Sequence, residues 1–268
     1  MFWRIPAGRP LGLHWDANGN LLIADTEKGL LRVSPEGGVE TLTASCGGRP
    51  LVFTDDLETT SDGRIWFTDA SIRFKRAHWK MDIIENRGNG RLCVYDPKDG
   101  STLQYRDAMY FANGVAIDPD EQFVLVNETS RYRVRRIWIA GPQQGESDIF
   151  IGNLPGFPDG ISTGTDGVFW IAMASPRNAI LDATSSWPRV RAMILRLPEF
   201  VVPKPESTAR VIGVNRDGQV VADLFDPTGH PISMVTSVQE RNGKLYLGSL
   251  TDTAWGWIPR PTTRKETH

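Results

Sequence analysis

Asp55, Asn113 and Asp159 are short oxygen-bearing side chains that fall at one position of a recurring sequence pattern. Hard oxygen donors gathered in this way suit Ca2+ or a similar divalent cation, which takes several carboxylate and amide oxygens plus water. The pattern is an apolar run, a polar turn and a second apolar run. It appears as GLHWDANGNLLIADT (12–26), DLETTSDGRIWFTDA (56–70), FANGVAIDPDEQFVLVNE (111–128), GISTGTDGVFWIAMA (160–174) and TSVQERNGKLYLGSL (236–250). Aligned on Gly19, Gly63, Glu121, Gly167 and Gly243, the position eight residues before each turn reads Leu11, Asp55, Asn113, Asp159 and Val235. A single Asp or Asn before a strand reads as a loop cap. At one register in three consecutive repeats, these residues favour a metal site over capping. Asp55, Asn113 and Asp159 are the candidate metal ligands, and Asp55, Asp56 and Asp159 the candidate catalytic carboxylates.

Such donors meet only if equivalent sheets surround a common centre. Apolar runs that return through a short polar turn are β-hairpins. Four-stranded antiparallel repeats of about 40–60 residues are the mark of a β-propeller. The expected fold is therefore all-β, with about five blades in this chain. Strands are expected near 11–16, 20–25, 29–34 and 38–43, within 52–69 and 91–105, between 111 and 152, from 159 with outer strands near 193–197 and 209–225, and at 235–248 and 255–258. The expected domain is 1–261 as one propeller, with an incomplete first blade at 1–10 marked by the apolar stub Phe2 to Ile5, and a flexible tail at 262–268. In a meander, residues just before the first strand and just after the second share an end of the sheet. Asp55, Asn113 and Asp159 thus share an end with the insertions 71–90 and 175–191, which would lie over the site as a lid. Within the second insertion, Asn178 to Ala183 can form a helical turn.

Composition narrows the function. Of 268 residues, 40% are hydrophobic and 23% charged, as in an ordinary globular chain with a large core. A net charge of −2 offers nothing to nucleic acid, and the basic stretch Arg131 to Arg136 alternates along a strand as a solvated face does. No run reaches the roughly 20 apolar residues of a membrane helix, and the chain as given does not open on a signal peptide. The expected partner is a small-molecule substrate, with neither nucleic acid nor membrane, and the expected location is cytoplasmic. Cys46 and Cys93 lie in different repeats without CxxC spacing, so they read as buried thiols rather than a disulfide framework. The four histidines are dispersed, which argues against zinc. Glu128 reads as a solvated residue, His14 as a structural histidine, and Trp66 and Trp170, at one register of their repeats, as sheet packing. No nucleophile elbow, phosphate loop or dinucleotide fingerprint is present.

The stretches GRPLGLHWDANGNLLIADTEKGLLRV, FTDDLETTSDGRIWFTDAS, YFANGVAIDPDEQFVLVNETSRYRVRRIWIAGP, IFIGNLPGFPDGIS, FWIAMASPRN and MVTSVQERNGKLYLGSL together resemble the bacterial strictosidine-synthase-like proteins. These belong to the six-bladed propeller superfamily that also holds gluconolactonase, regucalcin, paraoxonase and diisopropyl-fluorophosphatase. The resemblance implies a calcium-type ion held by Asn or Asp from successive blades. Asn113 in ANGV and Asp159 in FPDG match the family's metal positions. Asp55, in TDDL, stands where relatives carry Asn, and Asp56 follows as their Asp does. The glutamate base of the synthases proper is matched by Thr236, and a first-blade glutamate ligand has no match, which implies that an N-terminal blade is lacking. The expected function is metal-assisted hydrolysis of a small ester or lactone. The alternatives are a non-catalytic propeller that binds a small molecule or a protein, and, more weakly, an amine–aldehyde condensing enzyme.

Overall fold

The structure is a computed structural model and describes residues 8–185, 187, 190, 191, 193 and 205–262. The expected stub at Phe2 to Ile5 and nearly all of the expected strand at 193–197 and tail at 262–268 lie outside the described residues. The chain divides into two compact units, 1–115 and 116–268.

The first unit holds two sheets. Strands β1 (Pro10–Trp15), β2 (Leu21–Asp25), β3 (Gly29–Val33) and β4 (Val39–Thr43) follow one another as an antiparallel meander. A two-stranded ribbon, β5 (Ser45–Cys46) with β6 (Arg49–Pro50), leads to the second sheet, of β7 (Thr54–Thr59), β8 (Ile65–Asp69), β9 (Gly90–Asp96) and β10 (Ser101–Met109). The 71–90 insertion carries a short helix, α1 (Trp79–Glu85).

In the second unit, whose first strand crosses the unit boundary, β11 (Ala112–Ile117), β12 (Phe123–Glu128), β13 (Arg133–Trp138) and β14 (Ser147–Ile151) form the third sheet. The fourth is β15 (Gly156–Thr163), β16 (Phe169–Pro176), β17 (Ala209–Val214) and β18 (Val220–Asp226), with α2 (Ala179–Ala183) in its insertion where a helical turn was expected. The fifth has three strands, β19 (Val235–Arg241), β20 (Lys244–Ser249) and β21 (Gly256–Pro259). The fold is all-β, of the β-propeller class. Among the described residues no helix is long and apolar enough to cross a membrane.

The hairpins have a local cause. Each register residue of the repeats takes a left-handed backbone, with φ of 78° at Gly19, 86° at Gly63, 71° at Gly167 and 70° at Gly243. Glycine takes that conformation without steric cost. In the third repeat Glu121 holds the same place at φ 54°, and its N–H closes the turn on the Asp118 carbonyl at 2.7 Å.

Burial then sorts the strands. Ile65 to Asp69 of β8 are all buried, as a strand covered on both faces must be, whereas the outer strands β4 and β18 hold only exposed and half-buried residues. Cores form between successive sheets. Leu22, Ala24 and Leu30 pack with Leu57, Phe67 and Tyr95 in the first unit, and Phe123, Leu125 and Val134 pack with Phe169, Ile171 and Ile212 in the second. Trp66 and Trp170 are both fully buried sheet residues, as their shared register predicts.

Residues 209–225 are not one outer strand but the hairpin β17–β18. Asn215 Oδ1 accepts from the N–H groups of Asp217 and Gln219, and Gly218 stands at φ 82°, so Asn-Arg-Asp-Gly is a tight turn. Cys46 and Cys93 are not free thiols. They form a disulfide with Cα atoms 6.2 Å apart, because the ribbon that leaves the first sheet folds back onto β9.

Candidate functional site

Asp55 and Asp56 sit at the start of β7, and Asn113 at the start of β11. The side chains of Asp55 and Asn113 are almost wholly buried. A loop of hydrogen bonds joins the two strands at this level. The Thr68 hydroxyl, on β8, accepts from the Asp56 N–H at 3.1 Å and donates to the Asn113 carbonyl at 2.7 Å. Asp56 Oδ2 in turn accepts from the Val115 N–H at 3.0 Å. Thr68 is fully buried, so its hydroxyl has no water to exchange with and its two partners depend on it.

Asp56 is packed closely enough that a Cβ placed on Gly12 would stand 2.5 Å from its Oδ1. Burial pushes the Asp56 carboxyl up to about 7, with the Glu58 charge adding to the rise and the Val115 and Leu57 N–H groups opposing it.

In the second unit Asp159 lies within β15. Its carbonyl accepts from the Asn127 side-chain amide at 2.6 Å, and the preceding Pro158 carbonyl accepts from the Thr129 hydroxyl at 2.7 Å. Asn127 is fully buried, and its Oδ1 has no hydrogen-bond partner among the described residues. An orphaned buried oxygen beside a candidate ligand is the kind of group an ion or an ordered water satisfies.

Taken unit by unit, the side chains of Asp55 and Asn113 in the first and of Asp159 and Asn127 in the second fit a calcium-type ion in their chemistry, since each has a carboxylate or amide oxygen to give. Among the described residues no group of three or more His, Cys, Asp or Glu is placed to hold a metal, so amide oxygens must supply part of any shell. Asn127 and Thr68 were not singled out in the sequence. A polar residue at the end of a second strand, in the runs FTD and VNE, was the available signal.

The insertions leave the sheets where expected. Thr54 pairs with Asp69, so 71–90 departs from the end of the second sheet that carries Asp55. Gly156 pairs with Pro176, so the α2 insertion departs from the end that carries Asp159. The first insertion is knotted by Asp82, whose Oδ2 accepts from the Ser71 hydroxyl at 2.6 Å and the Asn89 amide at 3.0 Å. Burial pushes the Asp82 carboxyl up to about 6.

Glu128 is not the solvated residue expected. It is fully buried and ion-paired with Arg133 and Arg135 across the β12–β13 pair. The alternating arginines that looked like a solvated face are its counter-charges. Both ring nitrogens of His14 have partners, Nδ1 the Glu58 carboxylate and Nε2 the Thr59 hydroxyl.

The pinning makes a prediction. Thr68→Val keeps the shape but leaves the Asp56 N–H and the Asn113 carbonyl without this partner. The cost is about 1–3 kcal/mol for buried groups so stranded, with faster hydrogen exchange at the Asp56 amide. Thr68→Ser, which retains the hydroxyl, restores most of the protection. Unchanged exchange in Thr68→Val would show that the hydroxyl does not hold the two strands.

Solved β-propeller structures share the fold. A gluconolactonase from Xanthomonas campestris superposes with a TM-score of 0.66 at 18% identity, over 94% of this chain and 72% of that one. Regucalcin from Agrobacterium tumefaciens, described as a calcium-binding protein, gives a TM-score of 0.61 at 14% identity, over 93% and 72%. The strictosidine synthase family model matches residues 55–142, which include Asp55, Asp56 and Asn113.

Rat adipocyte plasma membrane-associated protein is 37% identical over 253 residues, covering 90% of this chain and 67% of that protein. Arabidopsis thaliana protein STRICTOSIDINE SYNTHASE-LIKE 3 is 36% identical over 253 residues, covering 91% and 64%. Arabidopsis thaliana protein STRICTOSIDINE SYNTHASE-LIKE 10, 37% identical over 256 residues, is covered over 67% of its length, so the chain belongs to the strictosidine synthase-like family, and it spans about two thirds of the length of these relatives.

Proposed function

We propose that this chain is a metal-assisted hydrolase of small esters or lactones, with Ca2+ or a similar divalent cation held by Asp55, Asn113 and Asp159. The reading is carried by one observation: each of these residues begins or lies in the first strand of its sheet and, at Asn113 and Asp159, the backbone carbonyl is fixed by a buried hydroxyl or amide of a neighbouring second strand. Such fixing of ligand-bearing backbone from behind is what keeps oxygen donors in place against thermal motion.

A bound cation supplies polarisation of a carbonyl and stabilisation of the developing oxyanion. The chain's own residues hold and orient: Asp55, Asn113 and Asp159 bring oxygen donors, and Asp56, half-buried beside Asp55, is the carboxylate suited to take a proton from water. The described relatives agree in part, one structural neighbour being a gluconolactonase and another a calcium-binding protein. Thr236, where the synthases carry a glutamate base, has no group that takes a proton from an amine, which disfavours amine–aldehyde condensation.

Titration calorimetry with Ca2+, combined with lactonase and esterase assays on the same preparation, tests the proposal. The expected results are Ca2+ binding, lactonase turnover that EDTA abolishes, and at least a tenfold weaker affinity in Asn113→Ala and Asp159→Ala, as loss of a ligand exceeds the roughly 10–100-fold of outer-shell losses. Binding without turnover would leave a ligand-binding propeller in its place. The absence of both would remove the metal altogether.

A further inference from the structure

A second constellation lies in the first unit, between β1 and the end of β7. His14 Nδ1 stands 3.0 Å from Glu58 Oε1, and His14 Nε2 stands 3.0 Å from the Thr59 hydroxyl. Hydroxyl, imidazole and carboxylate therefore follow one another in hydrogen-bonding distance, the order in which a nucleophile, its base and the base's orienting group are arranged. We propose that Thr59, His14 and Glu58 form a second, metal-independent nucleophilic centre that cleaves small activated esters.

The proton positions follow from the partners. Glu58 Oε1 already accepts from the Thr59 backbone N–H at 2.9 Å, so it faces His14 as an acceptor and the imidazole hydrogen resides on Nδ1. Nε2 is then the lone pair, and the Thr59 hydroxyl donates to it. Burial lowers the His14 pKa, with Asp16 opposing, so the ring is neutral at pH 7 and free to accept a proton. Burial pushes the Glu58 carboxyl up to about 7, with the Thr59 N–H opposing the rise, and Asp56 lies on the same strand. Neither side chain is sealed: 29% of His14 and 24% of Glu58 remain exposed, enough for a short acyl group to approach.

The chemistry balances without a cofactor. Thr59 Oγ1 bonds to the acyl carbon while its proton passes to His14 Nε2, and the imidazolium so formed is stabilised by Glu58. Collapse breaks the bond to the leaving oxygen, which departs with the proton from Nε2. Water then repeats the sequence on the acyl-threonine, releasing the acid and restoring the hydroxyl.

The Thr59 N–H is spent on Glu58 and does not serve an oxyanion. One such donor is worth about 10²–10³ in rate. The centre is consequently restricted to esters whose leaving groups depart readily, aryl esters of short acids being the simplest.

The test uses the full chain with p-nitrophenyl acetate in excess EDTA, which silences the proposed metal centre. The expected results are EDTA-insensitive hydrolysis, an acetyl group on Thr59 by peptide mass analysis, and loss of about 10²-fold or more in Thr59→Val and His14→Gln. Thr59→Ser retains both the rate and the label. Complete loss of hydrolysis in EDTA, or a wild-type rate in Thr59→Val, overturns this centre while leaving the calcium reading intact. EDTA-insensitive turnover in a protein that binds no Ca2+ would do the reverse.

Discussion

Replacing Arg91 with Met lowers the stability of the first unit by roughly 3–5 kcal/mol, the usual loss when one partner of a buried ion pair is removed. Arg91 lies on β9 with 1% of its side chain exposed, and its Nη2 is 2.8 Å from Asp69 Oδ2, itself fully buried. The same guanidinium donates to the carbonyl of Cys46 at 2.9 Å and to that of Pro50 at 2.6 Å. Asp69 Oδ1 accepts from the Phe53 N–H at 2.7 Å and the Val52 N–H at 3.2 Å.

One ion pair thus gathers the backbone from Cys46 to Phe53, the passage from the first sheet to the second. Burial pushes the Asp69 carboxyl up even though Arg91 and the two N–H groups pull it down. Without Arg91, Asp69 would be left charged in a dry site or forced to take a proton. Equilibrium denaturation measures the loss. A change below about 1 kcal/mol, the scale of an exposed pair, would refute it. Removing Asp69 as well should not restore stability, since Val52 and Phe53 then lose their acceptor.

Reduction of Cys46–Cys93 is expected to cost a similar amount. The bond closes a loop with a sequence separation of 47, for which chain-entropy reasoning gives about 4 kcal/mol. Both cysteines are buried in the core with Leu57, Phe67 and Tyr95, so the reductant acts only on opened molecules. Reduction should therefore be slow in buffer and fast near the denaturation midpoint. Denaturation with and without dithiothreitol, with Cys46→Ser/Cys93→Ser as the reference, checks the value. The Arg91 and disulfide effects should not add, because Arg91 holds the carbonyl of Cys46.

Much of the fold was legible because the hairpin turns are local. A left-handed residue at each register position closes its turn whatever surrounds it, and even Glu121 fell into line from the spacing of its neighbours. The hairpin at 209–225 is harder to see, because Asn-Arg-Asp-Gly sits between two strands of similar pattern and its turn is closed by Asn215 capping the N–H groups of Asp217 and Gln219.

Long-range pairing was less accessible. Nothing in the spacing of Cys46 and Cys93 shows that a ribbon folds back onto β9, and nothing in the alternating arginines shows that Arg133 and Arg135 turn inward to Glu128. At the candidate site, Asp55, Asn113 and Asp159 were visible through their shared register. Thr68 and Asn127, which hold the backbone behind Asn113 and Asp159, were not, since a single buried hydroxyl or amide has no periodicity.

The passage between the first two sheets is fastened twice, once by a covalent bond and once by charge. The covalent fastening lasts only where the ambient thiol potential is oxidising, whereas the ionic one is indifferent to it. The same polypeptide thus has a stiffer form in secretory or extracellular surroundings than in a glutathione-rich one, and the difference is written into a stretch far in sequence from Asp159.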